Sequence, residues 1–318
     1  MASIFVQLTA YHDYELSETI MRAIKNSSGD NQVNFGVHLL FKDVNDVPIP
    51  SRPNVKFVIS KAPENMGLGI GRALAHQFYN GEDYYLQIDS HSIMDPVWDP
   101  NLITWVKEYQ AMGFENALIT QYPRNYWYEG SKLVDKESKN TVTQISFHEK
   151  PEQFKEQRIG SQMGVANPKD NIFSNSVSGG SVFAVGDFVE PNLKIAFWGE
   201  EPTMAARAFT NGYDLLLPKH SFMAHLYFRH EGPTNEDRFK LNKRRIIWAD
   251  YPNEFDEIDK VSKAEVYDLF TKQIKGPQHL GTKRTLEDFG LRSGLDFSTG
   301  EVFMHFTPEN GLTQHRYC

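Results

Sequence analysis

Residues 55–91 read VKFVISKAPENMGLGIGRALAHQFYNGEDYYLQIDSH, and this stretch decides the fold. Val55 to Ser60 is rich in β-formers and predicts a strand. Residues 67–80 open with glycines and continue ALAHQFY, which predicts a helix. Tyr84 to Ile88 then predicts a second strand, with Asp89 at its carboxyl end. Strand–helix alternation is the signature of an α/β sheet with parallel strands, and such sheets bind ligands beyond the carboxyl ends of their strands.

The pattern extends outward on both sides. Ser3 to Leu8 predicts a first strand that ends at the polar run TAYHD. Ser17 is positioned to cap a helix through Glu18, Ile20, Met21 and Ile24, closed by SSGDN, and Val33 to Phe41 predicts the next strand. TAYHD and DSH, each at a strand end, would then meet in one crevice. Residues 122–178 are weakly patterned, as an insertion or as long loops. A second patterned block runs from SGGSVFAVGDF through the helix-like EEPTMAARAFTNG to LLLP. Beyond His230 the chain is more polar, and NEDRFKLNKRR and KVSKAEVYDLFTKQ read as helices.

The composition is that of an ordinary globular protein, with 33 Lys and Arg against 41 Asp and Glu, a net charge of −8. It carries no broad basic footprint of the kind phosphate backbones select. Lys243 to Arg245 form a small cluster that suits a solvated helix face, and a local basic groove within the acidic total stays open. The single cysteine, Cys318, allows no internal disulfide. No apolar run reaches the ~20 residues of a membrane span, and the N-terminus lacks the basic start of a signal peptide. A cytoplasmic protein without a membrane partner is expected.

Three features could carry chemistry. In DSH, alternate side chains of a strand share a face, so Asp89 and His91 can point at one ion, and carboxylate with imidazole suits Mn²⁺ or a similar cation. On spacing alone, a surface Asp beside a hydrogen-bonded His fits equally well. The run GLGIGRALA offers backbone N–H groups at a helix start, which suits phosphate. It fails the dinucleotide fingerprint, because Arg72 or Leu74 stands where the third glycine belongs and SKAPENM intervenes where a tight turn is needed. Arg72 could face a diphosphate or sit in a structural ion pair. Glu200 and Glu201 in FWGEEPTMAARAFTNGYD begin a helix, where acids are favoured structurally and where they could also accept hydrogen bonds from sugar or acceptor hydroxyls. His220, His225 and His230 recur every five residues, a spacing that matches no familiar zinc site and does not single out His225.

Taken in order, IFVQLTAYHD, GLGIGRALAHQFYNGEDYYLQIDSH, SGGSVFAVGDF, FWGEEPTMAARAFTNGYDLLLP, HLYFRH and LGTKRTLEDFGLRSGLDF resemble glycosyltransferase family 60, the Skp1-type polypeptide N-acetylglucosaminyltransferases. The WGEE-to-NGYD block is also similar to the matching region of polypeptide GalNAc-transferases. The resemblance implies a GT-A fold, with a mostly parallel central sheet flanked by helices. It implies a catalytic domain over residues 1–230 and a helical C-terminal extension over 231–318. A UDP-sugar donor, Mn²⁺ or Mg²⁺, and retention of anomeric configuration follow from it.

By position the resemblance makes Asp89, His91 and His225 the metal ligands, with Asp89 also on the diphosphate. Thr9, Ala10, Tyr11 and Asp13 would lie against uridine, Arg72 near the diphosphate, and Gly179 and Gly180 among the donor-binding positions. Glu200 and Glu201 would stand where donor sugar and acceptor meet. One departure touches the nucleotide end: the family commonly reads SYRD where this chain has AYHD, with His12 for the Arg. The acceptor implied is a hydroxyl of hydroxyproline, Ser or Thr in a protein. A glycan or hydroxylated nucleobase acceptor, or a sugar-nucleotide-binding protein without turnover, are the alternatives.

Overall fold

β1 (Ser3–Tyr11) sends Ile4, Val6 and Leu8 to one side of the sheet and Phe5 to the other, all fully buried. That is the mark of a central strand covered on both faces. The computed structural model describes residues 1–43, 47–129, 132–135, 137–147, 161–166, 172–227, 246–301, 304–307 and 311–314. After β1 come α1 (Leu16–Asn26), β2 (Gln32–Phe41), β3 (Val55–Lys61), α2 (Leu68–His76), β4 (Tyr84–Ile88) and β5 (Ser92–Met94). α3 (Trp98–Ala111), β6 (Ala117–Thr120), β7 (Arg124–Asn125), β8 (Trp127–Glu129), β9 (Lys132–Val134), β10 (Val142–Phe147) and β11 (Ser161–Ala166) follow. The remainder is β12 (Ser181–Val185), α4 (Glu200–Thr210), β13 (Asp214–Leu216), β14 (Met223–His225), α5 (Ile247–Asp250), α6 (Pro252–Thr271), α7 (Leu286–Ser293), β15 (Met304–Thr307) and β16 (Gly311–Gln314).

Seven strands form the main sheet in the order β13-β6-β12-β4-β1-β2-β3. The pairs β1–β2, β2–β3, β1–β4 and β6–β13 are parallel, whereas β12 runs antiparallel to both β4 and β6. The expected α/β sheet is therefore present, and it is mostly rather than wholly parallel. One face is covered by α1 and α3 through Leu16, Ile20, Trp98, Leu102 and Val106. The other is covered by α2, α4, α6 and α7, with Phe5, Tyr85 and Leu118 packed against Ala205, Leu269 and Phe289.

Several sequence expectations shift in detail. Ser17 does not cap α1; the helix starts from Glu15, whose N–H donates to Asp13 Oδ1 at 3.0 Å. A carboxylate that turns its own backbone two residues on sets this start, and Ser17 falls inside the first turn. The weakly patterned middle holds a β8–β9 hairpin, a β10–β11 antiparallel ladder and β7, which joins β14 and β5 in a three-stranded sheet. KVSKAEVYDLFTKQ lies in and just after α6, while NEDRFKLNKRR and the Lys243–Arg245 cluster lie outside the described residues.

Candidate active site

A cavity of about 540 Å³ opens at the carboxyl ends of β1, β2 and β4. Thr9, Ala10, Tyr11, Asp13, Asp89, His91, Gly179, Gly180, Glu200, Glu201 and His225 all border it, whereas Arg72 does not. The sequence-predicted positions, scattered from residue 9 to residue 225, are thus brought to one place with that single exception.

The run after β4 is held by α1. Thr19 Oγ1 donates to Ser90 O (2.9 Å) and accepts from Ser92 N (3.0 Å), so one hydroxyl fixes the backbone on both sides of His91. Ser90 Oγ donates to Asp13 Oδ2 at 2.7 Å, and His91 Nδ1 meets the same oxygen at 2.7 Å. β5 then pairs antiparallel with β14, placing Ser92 opposite His225, and Leu226 N donates to His91 O at 3.1 Å. That pairing carries His225 to Asp89, with Nε2 and Oδ2 3.2 Å apart, and sets the His91 and His225 rings 4.5 Å apart. The ligand atoms of Asp89, His91 and His225 all lie within 4.8 Å of one another. Sheet pairing, not sequence spacing, makes this cluster.

Behind it sits Arg72, with 3% of its side chain exposed. Its guanidinium donates to Glu200 Oε1 (3.1 Å), Asp89 Oδ1 (3.3 Å), Gly179 O (3.0 Å) and Ile88 O (3.4 Å). The ion-pair alternative is the one the fold adopts, with the cation pointing into the protein behind the cavity wall. Burial opposes the ionised form of Asp89, but the hydrogen bond and charge of His225, with Arg72 and His91, hold its carboxyl well below the usual range. Burial raises the Glu200 carboxyl, with Arg72 opposing and Asp89 adding to the shift. Glu201 Oε1 accepts from Gly179 N at 3.0 Å. Gly179 and Gly180 leave room for these acids, since a Cβ on Gly179 would meet the Glu200 carboxylate and one on Gly180 the Asp89 carboxylate.

The glycine run before Arg72 does not form a phosphate cradle. Leu68 N and Gly69 N, at the start of α2, donate to Ala196 O (2.7 Å) and Ile195 O (2.8 Å). Gly69 and Gly71 instead allow close packing, on the Asn192 backbone and on Thr9 and His38. His12 is 4% exposed, has φ of 44° and sets its Nε2 3.2 Å from the Tyr14 hydroxyl.

Sequence reasoning missed other bordering residues. His38 Nε2 meets Ser60 Oγ at 3.2 Å, and burial lowers its pKa to about 4, so it is neutral at pH 7. Phe197 and Trp198 border the cavity next to Glu200, 39% and 58% exposed, with Trp248 against Phe197 at 5.0 Å. The Trp-Gly pair before the two glutamates was a visible signal; nothing near His38 was.

The mostly parallel sheet flanked by helices is of the GT-A class, and a solved structure agrees with the fold. The crystal structure of GalNAc-T7 with UDP, GalNAc and Mn²⁺ is similar at a TM-score of 0.51 and 14% identity, covering 71% of this chain and 44% of that one. This chain therefore spans less than half the length of that protein. The chain belongs to the family Glycosyltransferase (GlcNAc), whose model matches residues 44–246, well over half of the sequence. No curated protein matches it. No helix among the described residues is long and apolar enough to cross a membrane.

Proposed function

We propose that this glycosyltransferase moves GlcNAc from UDP-GlcNAc to an acceptor hydroxyl, with retention of configuration and with a divalent cation held by Asp89, His91 and His225. The observation that carries the reading is the convergence of these three side chains at the end of β4, inside the cavity that the ends of β1 and β2 also border. The side chains fit a cation. Asp89 is held ionised, and its Oδ2 faces His225 Nε2 at 3.2 Å. The ligand atoms of Asp89, His91 and His225 lie within 4.8 Å of one another, close enough for one cation to be held by all three. Two imidazoles favour Mn²⁺ over Mg²⁺, which prefers oxygen and water.

When bound, the cation supplies Lewis-acid stabilisation of the charge that develops on the departing diphosphate. The chain's own residues set the stage for that. Arg72 fixes Asp89 and Glu200 relative to one another through a guanidinium that is itself buried. Thr9, Ala10 and Tyr11 border the nucleotide end. Glu200 Oε1 accepts from Arg72 and Glu201 Oε1 from the Gly179 N–H, and attack by the acceptor on the face the diphosphate leaves asks neither to be a nucleophile. The acceptor oxygen then bonds to the sugar as the sugar–phosphate bond breaks, and the hydroxyl proton passes to the leaving group. Glu200 and Glu201 can accept hydrogen bonds from hydroxyls of donor and acceptor.

The ordered blocks that resemble glycosyltransferase family 60 support a protein hydroxyl, hydroxyproline included, as the acceptor. The soluble, cytoplasmic setting of that family is proposed with it. A UDP-release screen over several UDP-sugars with Mn²⁺ tests the donor, followed by mass analysis of candidate acceptors. UDP-GlcNAc should give the fastest release and EDTA should abolish it. Full turnover in chelator would sink the metal assignment, and preference for another sugar would sink the donor.

A further inference from the structure

Asp13 stands with the uridine-facing positions in the resemblance and borders the cavity, and its side chain also reaches the metal motif. It is 4% exposed. Oδ1 accepts from Glu15 N at 3.0 Å, while Oδ2 accepts from Ser90 Oγ at 2.7 Å and meets His91 Nδ1 at 2.7 Å. An imidazole that donates Nδ1–H to a buried carboxylate is fixed in one tautomer, with Nε2 left as the basic, lone-pair-bearing atom. The same contact sets the ring's rotation about its side-chain bonds. Thr19 holds the backbone on either side, so both the backbone of His91 and the Nδ1 of its ring are fixed by α1 and the residues just before it.

We infer that Asp13 is a positioning residue for a divalent cation: it acts through His91, fixing the ring so that Nε2 is turned toward Asp89 and His225. The inference rests on the metal reading above and goes beyond it, because it gives Asp13 a role in the outer shell of the ion. It also explains how TAYHD and DSH, distant in sequence, come to act together. Outer-shell partners of this kind are worth roughly 10- to 100-fold in metal affinity.

The test measures Mn²⁺ affinity directly, by electron paramagnetic resonance of free Mn²⁺ with saturating UDP, on the full chain. Asp13→Ala should weaken Mn²⁺ binding by roughly 10- to 100-fold, and Asp13→Asn, which keeps an acceptor oxygen, by less. UDP affinity in EDTA should stay at the wild-type value. In a His91→Ala background, Asp13→Ala should add little, because the residue through which it acts is gone. Melting curves without metal check that each variant is folded, and Asp13→Asn carries the comparison if Asp13→Ala melts early. Wild-type Mn²⁺ affinity in Asp13→Ala overturns the inference, as does an equal loss in the His91→Ala background or a loss of UDP binding in EDTA. A wild-type chain that takes up no Mn²⁺ overturns the metal reading itself, and the inference with it.

Discussion

Gly180 has its Cα so near Asp89 that an added Cβ would lie 2.8 Å from the carboxylate carbon. Neither Gly179 nor Gly180 has positive φ, so the demand is for space and not for backbone freedom. Gly180→Ala should therefore push Asp89 aside and lower both Mn²⁺ affinity and turnover by about tenfold or more, since 1.4 kcal/mol of misplacement suffices for that. Gly179→Ala crowds Glu200 instead, with an added Cβ 3.1 Å from its carboxylate carbon, and should lower turnover with less effect on metal affinity. Measuring the two constants for both variants separates the roles, and equal effects would refute them. Arg72→Met should destabilise the fold by roughly 3–5 kcal/mol in urea unfolding, because Asp89 and Glu200 lose their shared cation. Asp89 and His91 were legible as a ligand pair because period-two geometry and a strand end suffice to suggest one. Spacing did not single out His225, which only the resemblance supplied, since its place depends on β14 pairing with β5, a contact between residues more than a hundred positions apart. Arg72 was left open between two roles because sequence cannot say on which side of a wall a side chain lies.

The elements of the βαβ core were legible because their apolar runs are continuous and their breaks are marked by Gly and Pro. The strand at Tyr84 to Ile88 matches β4 to the residue, and the second, third and fourth elements differ from expectation only at their ends. The reversed β12 was not foreseen, because a fully buried strand has the same composition in either direction. The same limit hid the short strands between residues 122 and 178, which are too brief to show a period. The glycine run was misleading in a specific way: it suited a phosphate-binding turn, yet the first N–H groups of α2 are already taken by Ile195 and Ala196. Late in the chain a helix is started by its own side chains. Thr285 Oγ1 accepts from Asp288 N at 3.0 Å while Asp288 Oδ2 accepts from Thr285 N at 3.1 Å, a reciprocal capping box on α7. Thr285→Ala should cost about 1 kcal/mol in urea unfolding and leave turnover at wild-type level. A loss several times larger would show that Thr285 does more than start the helix.

At the scale of the molecule, the proposed division into a catalytic domain over 1–230 and an extension over 231–318 has an energetic consequence. Leu269, Phe270, Phe289 and Phe297 share one buried cluster with Phe5, Tyr85, Leu118 and Leu215 of the main sheet, so the late helices complete that sheet's second face. The same junction makes stability depend on pH. Glu265 on α6 is 5% exposed at its side chain and bonds Asn192, Lys194 and His279 at 3.0, 2.8 and 2.7 Å. Burial raises its pKa, but those hydrogen bonds outweigh burial and hold it below the ordinary value. A lowered carboxylate adds stability above its unfolded pKa and loses it as pH falls through the folded one. His38 works in the same direction for the opposite chemical reason. Burial alone lowers its pKa from 6.5 to about 4, so the unfolded chain takes up a proton before the folded one does. Its contribution is complete above about pH 6.5 and is lost as pH falls toward 4, by about 2 kcal/mol between pH 7 and pH 5. Urea unfolding of the metal-free chain at those two pH values should show a loss of at least this size, and His38→Asn should remove about 2 kcal/mol of the difference. A His38→Asn chain whose stability falls as steeply as wild type between pH 7 and pH 5 would place the proton uptake elsewhere in the fold.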